Sequence, residues 1–232
     1  MSDLTAERTR IPFDYHGFSF DLLYPEIGPS YNALGLKLGI NENGFVMASA
    51  AEAVSALVAL LSIPLTDYYR DKTIHMLRTT GLWLDTACRF VPEKGMYIED
   101  HPEIEKVTAE NNSGRIIERF KDVKAEDLSK RFNEGEIGFV PLTNLEDEVT
   151  PIRVCGFARY PLVQTLFHEE AERLGDIASG LNGSAYVSVL RPANPVTKFP
   201  VINIRKDGGL QVRLFPYSGT VDGSAFAISR RE

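Results

Sequence analysis

The sequence predicts an α+β fold: a mostly antiparallel sheet with β-hairpins at 82–101 and 200–215, and three or four helices, one of them buried near 50–63. Three observations carry this. The run LWLDTACRFV alternates, with Leu82, Leu84, Thr86, Cys88 and Phe90 on one face and Trp83, Asp85, Ala87, Arg89 and Val91 on the other. Pro92-Glu93-Lys94-Gly95 is turn chemistry, and MYIEDH runs back from it. Near the C-terminus, Ile202 and Ile204 match Leu210, Val212 and Leu214 across Asp207-Gly208-Gly209, giving a second hairpin with one dry face. Between the two lies helix-period and turn signal, with no internal repeat and no low-complexity linker.

In chain order, residues 1–44 hold many turn formers, among them Pro12, Gly17, Gly28 and Pro29. They are expected to form an irregular N-terminal segment of short strands and loops packed on one domain of 1–232, with a strand at 34–40. Residues 45–65, FVMASAAEAVSALVALLSIPL, are apolar enough to span a bilayer with Glu52 as the single charge. A span is rejected. Ser49 and Glu52 fit a capping box that starts a helix inside the run, and Pro64 stops it. The helix is then ~21 Å long, short of the ~30 Å hydrocarbon core, and apolar almost all round, which is the pattern of a buried central helix. Thr66 is the expected cap of a second helix at 67–79. After the first hairpin, EKVTAENNSG reads as a polar loop, 115–120 as a short strand, 124–133 as an exposed helix closed by Gly135, and IGFVPL as a buried strand. EDEVTP reads as a charged turn and RVCGFA as a strand. Residues 165–180 read as one helix with Glu169 and Glu170 in its first turn, followed by strands at 184–190 and after Gly223.

Charge excludes one function class. The net charge is −7, and residues 99–148 carry all of it, with fourteen Asp and Glu against seven Lys and Arg. Phosphate backbones require a basic face, so no nucleic acid is expected as a partner, and no membrane either. Two cysteines, Cys88 and Cys155, are too few for a secreted disulfide framework. The N-terminus lacks a signal-peptide core, and a cytoplasmic location is expected.

No phosphate-binding glycine loop, dinucleotide fingerprint, nucleophile elbow, Cys-x-x-Cys or His-Glu-x-x-His motif is present. The remaining chemistry centres on MYIEDHPEIE at 96–105. On a strand, Tyr97, Glu99 and His101 share one face, and Met96, Ile98 and Asp100 the other. Glu99 and His101, two apart, are the candidate metal ligands, with Asp100 beside them. His75, or His168 and Glu172 at helical i, i+4 spacing, would complete a divalent-metal site. The bland alternative is the wet end of an amphipathic strand. Cys88 sits on the apolar face, where a thiol is inert, and Cys155 has no assigned face. The pair Asp14 and His16 in DYH resembles an oriented base without a nucleophile. Trp83, opposite the apolar face, is a candidate interface residue.

The stretch FVPEKGMYIEDHPEIE, the later GFVPL, the helix HEEAERLGDIASGL and the ending DGSAFAI resemble an uncharacterised family of predicted archaeal proteins. In that pattern, VP-x-x-G-x-YI-x-D-x-P precedes an RFVPF-like strand, an acidic helix and a terminal G-x-AFG strand. Here the strand reads IGFVPL, and Ala227 stands in place of the final glycine. The resemblance implies one domain from 45 to 229. It carries no assigned activity and transfers no functional residue.

The leading expectation is therefore a non-catalytic module that binds or assembles, as a homo-oligomer or with a protein partner. It needs no cofactor. The alternative is a metal-dependent hydrolase built on the 97–103 cluster.

Overall fold

A computed structural model describes residues 9–30, 33–62, 67–108, 116–145, 149–181, 183–189, 192–216 and 223–231. The N-terminal strands β1 (Thr9–Tyr15) and β2 (Phe18–Ser30) form a hairpin, followed by helix α1 (Ala33–Asn41), strand β3 (Val46–Met47), and helices α2 (Ala50–Ser62) and α3 (Asp67–Thr79). Strands β4 (Leu82–Trp83), β5 (Thr86–Val91), β6 (Gly95–Asp100), β7 (Ile104–Thr108) and β8 (Ile116–Phe120) come next. Then follow α4 (Ala125–Asn133), β9 (Gly138–Pro141), β10 (Val149–Arg153), α5 (Val154–Phe157), α6 (Pro161–Phe167) and α7 (Ala171–Leu181). Strands β11 (Ser184–Ser188), β12 (Val196–Ile204), β13 (Leu210–Pro216) and β14 (Gly223–Arg230) complete the chain.

One large sheet runs β1-β2-β14-β4-β12-β13-β11-β10, with β3, β5, β6 and β9 branching from it. Most pairs are antiparallel; β11 with β13, and β14 with β4, are parallel. The hairpin of β5 and β6 pairs Thr86 with Asp100 and Phe90 with Met96. The C-terminal hairpin pairs Ile202 with Val212 and Ile204 with Leu210. Both expected hairpins are present with shifted bounds, and the buried helix is α2: the first hairpin begins at Thr86, not 82, because Leu82 and Trp83 pair with β12 instead, and the second begins at Val196, not 200.

Alternation along each strand feeds two cores on the two faces of this sheet. Leu82, Leu84, Cys88 and Phe90 join α2, α6 and α7 in the larger core. Trp83, Ala87, Phe199, Val201, Ala225 and Ala227 join α1 and Phe120 in the second. Covering both faces explains why Trp83, only 1% exposed, is not on the surface. A Cβ at Gly223 would fall 1.9 Å from the Trp83 ring, so glycine at 223 is what admits the indole. The expected interface role for Trp83 loses its basis.

Several local expectations are corrected. Residues 34–40 form part of α1, not a strand: ALGLKLGI satisfies period two, but Ala33, Leu36, Lys37 and Ile40 are the buried set, at i, i+3, i+4 and i+7. Five helices are nine residues or longer among the described residues, where three or four were expected. The polar loop after 103 begins as strand β7, paired with β8. RVCGFA leaves the sheet at Arg153 and turns into α5. The helix expected over 165–180 breaks at His168, whose φ is 49°. Pro64, Thr66, residues 146–148 of the EDEVTP turn and the loop residues 109–115 lie outside the described residues, and the rest of EDEVTP is not turn but the start of β10. No described helix is long and apolar enough to cross a membrane.

Candidate functional site

The N-terminus of α2 meets the exit of β6, and the polar chemistry of the chain collects there. Ser49 donates its N–H to Glu52 Oε2 at 2.8 Å, the back half of a capping box. The next free N–H, on Ala50, donates to Thr86 Oγ1 at 2.9 Å, and Thr86 donates to Asp100 Oδ1 at 2.5 Å. The helix end is therefore stitched to β5 and β6 by side chains, which satisfies donors that a helix cannot satisfy internally.

His101 then leaves the strand with φ at 50°, its N–H donating to Asp85 O at 2.8 Å. This left-handed turn swings the ring away from Tyr97 and Glu99. Nδ1 lies 3.0 Å from Asp85 Oδ2, and Nε2 lies 3.1 Å from Glu52 Oε2. Asp85, 1% exposed at its side chain, also accepts from Lys37 Nζ at 2.8 Å on both oxygens. Lys37 donates further to Pro102 O at 2.7 Å. The result is a line of alternating charge, Lys37–Asp85–His101–Glu52, drawn from α1, the β4–β5 bend, the end of β6 and α2. Burial opposes charge on His101, but the hydrogen bonds that Asp85 and Glu52 accept from it outweigh this and lift its pKa to about 10. Burial also opposes charge on Glu52, and the His101 hydrogen bond and charge more than reverse this, leaving its carboxyl below the usual value. Both ring nitrogens of His101 are thus engaged by carboxylates.

Around this line lies a half-exposed rim. His16, with φ at 51°, bonds Glu169 Oε1 at 2.7 Å. His168 Nε2 lies 3.9 Å from Asp100 Oδ2. Burial pushes the Asp100 carboxyl up, against the pull of Thr86 and the two histidines. Burial and the neighbouring carboxylates Glu169, Asp100 and Glu52 push the Tyr15 phenol up as well. Three of the four histidines thus take the left-handed backbone that non-glycine residues seldom adopt, and each of the three meets a carboxylate.

The sequence-derived ligands are not brought together. Glu99 is buried on the other side of β6, where Oε2 accepts from Arg89 Nε at 3.0 Å and Oε1 from Arg131 at 2.7 Å. The wet strand end expected there is covered by α4, with Tyr97 bonded to Ser129 at 2.9 Å. A cleft of about 510 Å³ opens beside Arg131, lined by charges of both signs. His75 lies exposed on α3, and His168 is not on one helical face with Glu172, because the helix begins after it. Among the described residues, no three His, Cys, Asp or Glu side chains have the geometry to share a metal ion. Cys88 is fully buried and its thiol is pushed up by that burial, as its apolar face implies. The Cys155 side chain lies outside the described set. Asp14 bonds Ser19 and is not an orienting partner of His16.

Lys37, Glu52 and Asp85 were missed as site residues. A signal for them exists. Each is the lone charge within an apolar stretch, ALGLKLGI, AEAVSALVALL and LWLDTA, and a charge that must be buried needs a partner.

Away from this polar centre, α2, α3, α7 and β12 enclose an apolar cleft of about 340 Å³. Val58, Leu61, Ile74, Ile177 and Leu181 line it together with the charged Arg70, Arg173 and Asp176.

No family model matches the chain, and no curated protein does. A solved structure described as "Accommodation of massive sequence variation in Nanoarchaeota by the C-type lectin fold" is similar over 98% of this chain and 100% of its own, at 10% identity. The TM-score is 0.48, too low to carry a statement about fold or function.

Proposed function

We propose that this chain works by binding rather than catalysis, and that the apolar cleft between α2, α3 and α7 is where a ligand's apolar part is held. One observation carries the reading. Three of the side chains with chemical capacity are paired or sealed within the molecule: Glu99 by two arginines, His101 by two carboxylates, Cys88 by the core. The cleft, by contrast, presents partly exposed apolar side chains with a few polar groups among them. Its volume is at the lower end of the range for small-molecule sites, roughly 300–1,000 Å³.

Gly180 supplies the test. It lines the cleft, and a Cβ added there meets nothing within 4 Å. Gly180→Phe should therefore fill the cleft without displacing the fold. An uncharged, environment-sensitive fluorescent probe is expected to bind the wild type saturably at one site. Its affinity should fall tenfold or more, roughly 1.4 kcal/mol, in Gly180→Phe. Equal binding by both proteins would remove the cleft from consideration.

A further inference from the structure

The Lys37–Asp85 pair has a chemical option beyond an ion pair. Lys37 lies on α1 with its side chain 8% exposed, and Asp85 lies in the β4–β5 bend at 1%. Nζ is 2.8 Å from each carboxylate oxygen, and the Pro102 carbonyl at 2.7 Å fixes the amine in place. The Phe120 ring stands 5.9 Å from Nζ, and Trp83 and Ala87, Asp85's neighbours on its strand face, belong to the second core. Desolvating two charges is costly even when they pair, and condensation to a neutral amide removes both charges at once. Held this close, such groups react with effective molarities of roughly 10⁵–10⁸ M.

We propose that Lys37 and Asp85 condense to an intramolecular amide, a covalent link between α1 and the β4–β5 bend. The Nζ lone pair forms the bond to Asp85 Cγ. The Cγ–Oδ2 bond breaks, and Oδ2 departs as water with the two protons the ammonium nitrogen gives up. Oδ1 becomes the amide oxygen. No oxidant, nucleotide or metal is needed, because amine and acid balance to amide and water. His101 is the catalytic residue. Its Nδ1 is 3.0 Å from Oδ2, the departing oxygen, so it passes one proton to Oδ2 and recovers one from nitrogen. Glu52, on the other ring nitrogen, keeps that proton available. Asp85 is closed to solvent, so the amide once formed is shielded from hydrolysis.

The deciding measurement is the intact mass of the folded full-length protein after prolonged incubation, followed by peptide mapping. The expected mass is one water below that of the sequence, and trypsin should fail to cut after Lys37, leaving a branched peptide that contains Asp85. Asp85→Asn should lie one ammonia below its own sequence mass, because the same bond then expels ammonia. Lys37→Arg and Asp85→Ala should match their sequence masses. His101→Gln should slow the appearance of the lighter species by roughly 10²-fold. A wild type at its full sequence mass overturns the proposal, even if every variant fails to fold. A loss of water that persists in Lys37→Arg overturns it equally, by placing the bond elsewhere.

Discussion

His101 gathers more structural consequence than any other single residue in the site. Its left-handed backbone ends β6, and its ring closes the gap between α2 and the β4–β5 bend. Its raised pKa has a definite sign in stability. The folded value of about 10 lies above the ordinary 6.5, so the stabilisation is fully present below about pH 6.5 and is lost as pH rises through about 10. Glu52 acts oppositely: its carboxyl is held below its ordinary 4.5, so its contribution is present above about pH 4.5 and is lost as pH falls. The His101 ring is 37% exposed, and solvent screening cuts its share to about 1 kcal/mol. Chemical denaturation of wild type and His101→Gln across pH 6–10 checks this. The gap between the two should shrink as pH rises through that range. A gap that stays constant would show that the ring packs but is not held as a cation.

Elements, rather than residues, decide how β6 is held at the start of its run. Gly95 opens the strand at φ 147°, and a Cβ there would lie 2.2 Å from Val140 O on β9. Gly95→Ala should therefore cost about 2–3 kcal/mol, through lost β6–β9 pairing and a strained backbone. Gly180→Ala in α7, where space is open, should instead stabilise by about 0.5–1 kcal/mol. Paired urea melts distinguish the two, and similar shifts would contradict both placements. Much at this scale was legible in the sequence. Both hairpins and α2 stood out because alternation, turn residues and a capping box marked them, although alternation carried the first hairpin back to 82, where the chain pairs with β12 instead. Helix α1 did not, because ALGLKLGI fits either period and only tertiary contact with Asp85 makes Lys37 an inward residue. The break at His168 was hidden for a similar reason. HEEAERLGDI keeps a helical pattern through a position that the fold turns left-handed beside Asp100. Glu99 and His101 were read as one face because strand geometry was assumed to continue for one residue past its end.

At the scale of the molecule, the sheet is shared by two cores, and this has a consequence for how the chain unfolds. Neighbouring residues from β4 through the bend into β5 point into opposite cores: Trp83 and Ala87 to the α1 side, Leu82, Leu84 and Cys88 to the α2 side. One core cannot melt without exposing the back of the strands that build the other, so loss of the two should be a single event. The sequence places a reporter in each. The only tryptophan, Trp83, is 1% exposed in the second core, and Cys88 is fully buried in the first. In a Cys155→Ser background, urea titration followed by tryptophan emission should give the same midpoint as titration followed by Cys88 labelling. Cys88 reacting at lower urea than the emission change would mean that the α2 side opens alone. The larger core would then be a separate folding unit, and the apolar cleft, which belongs to that side, would open with it.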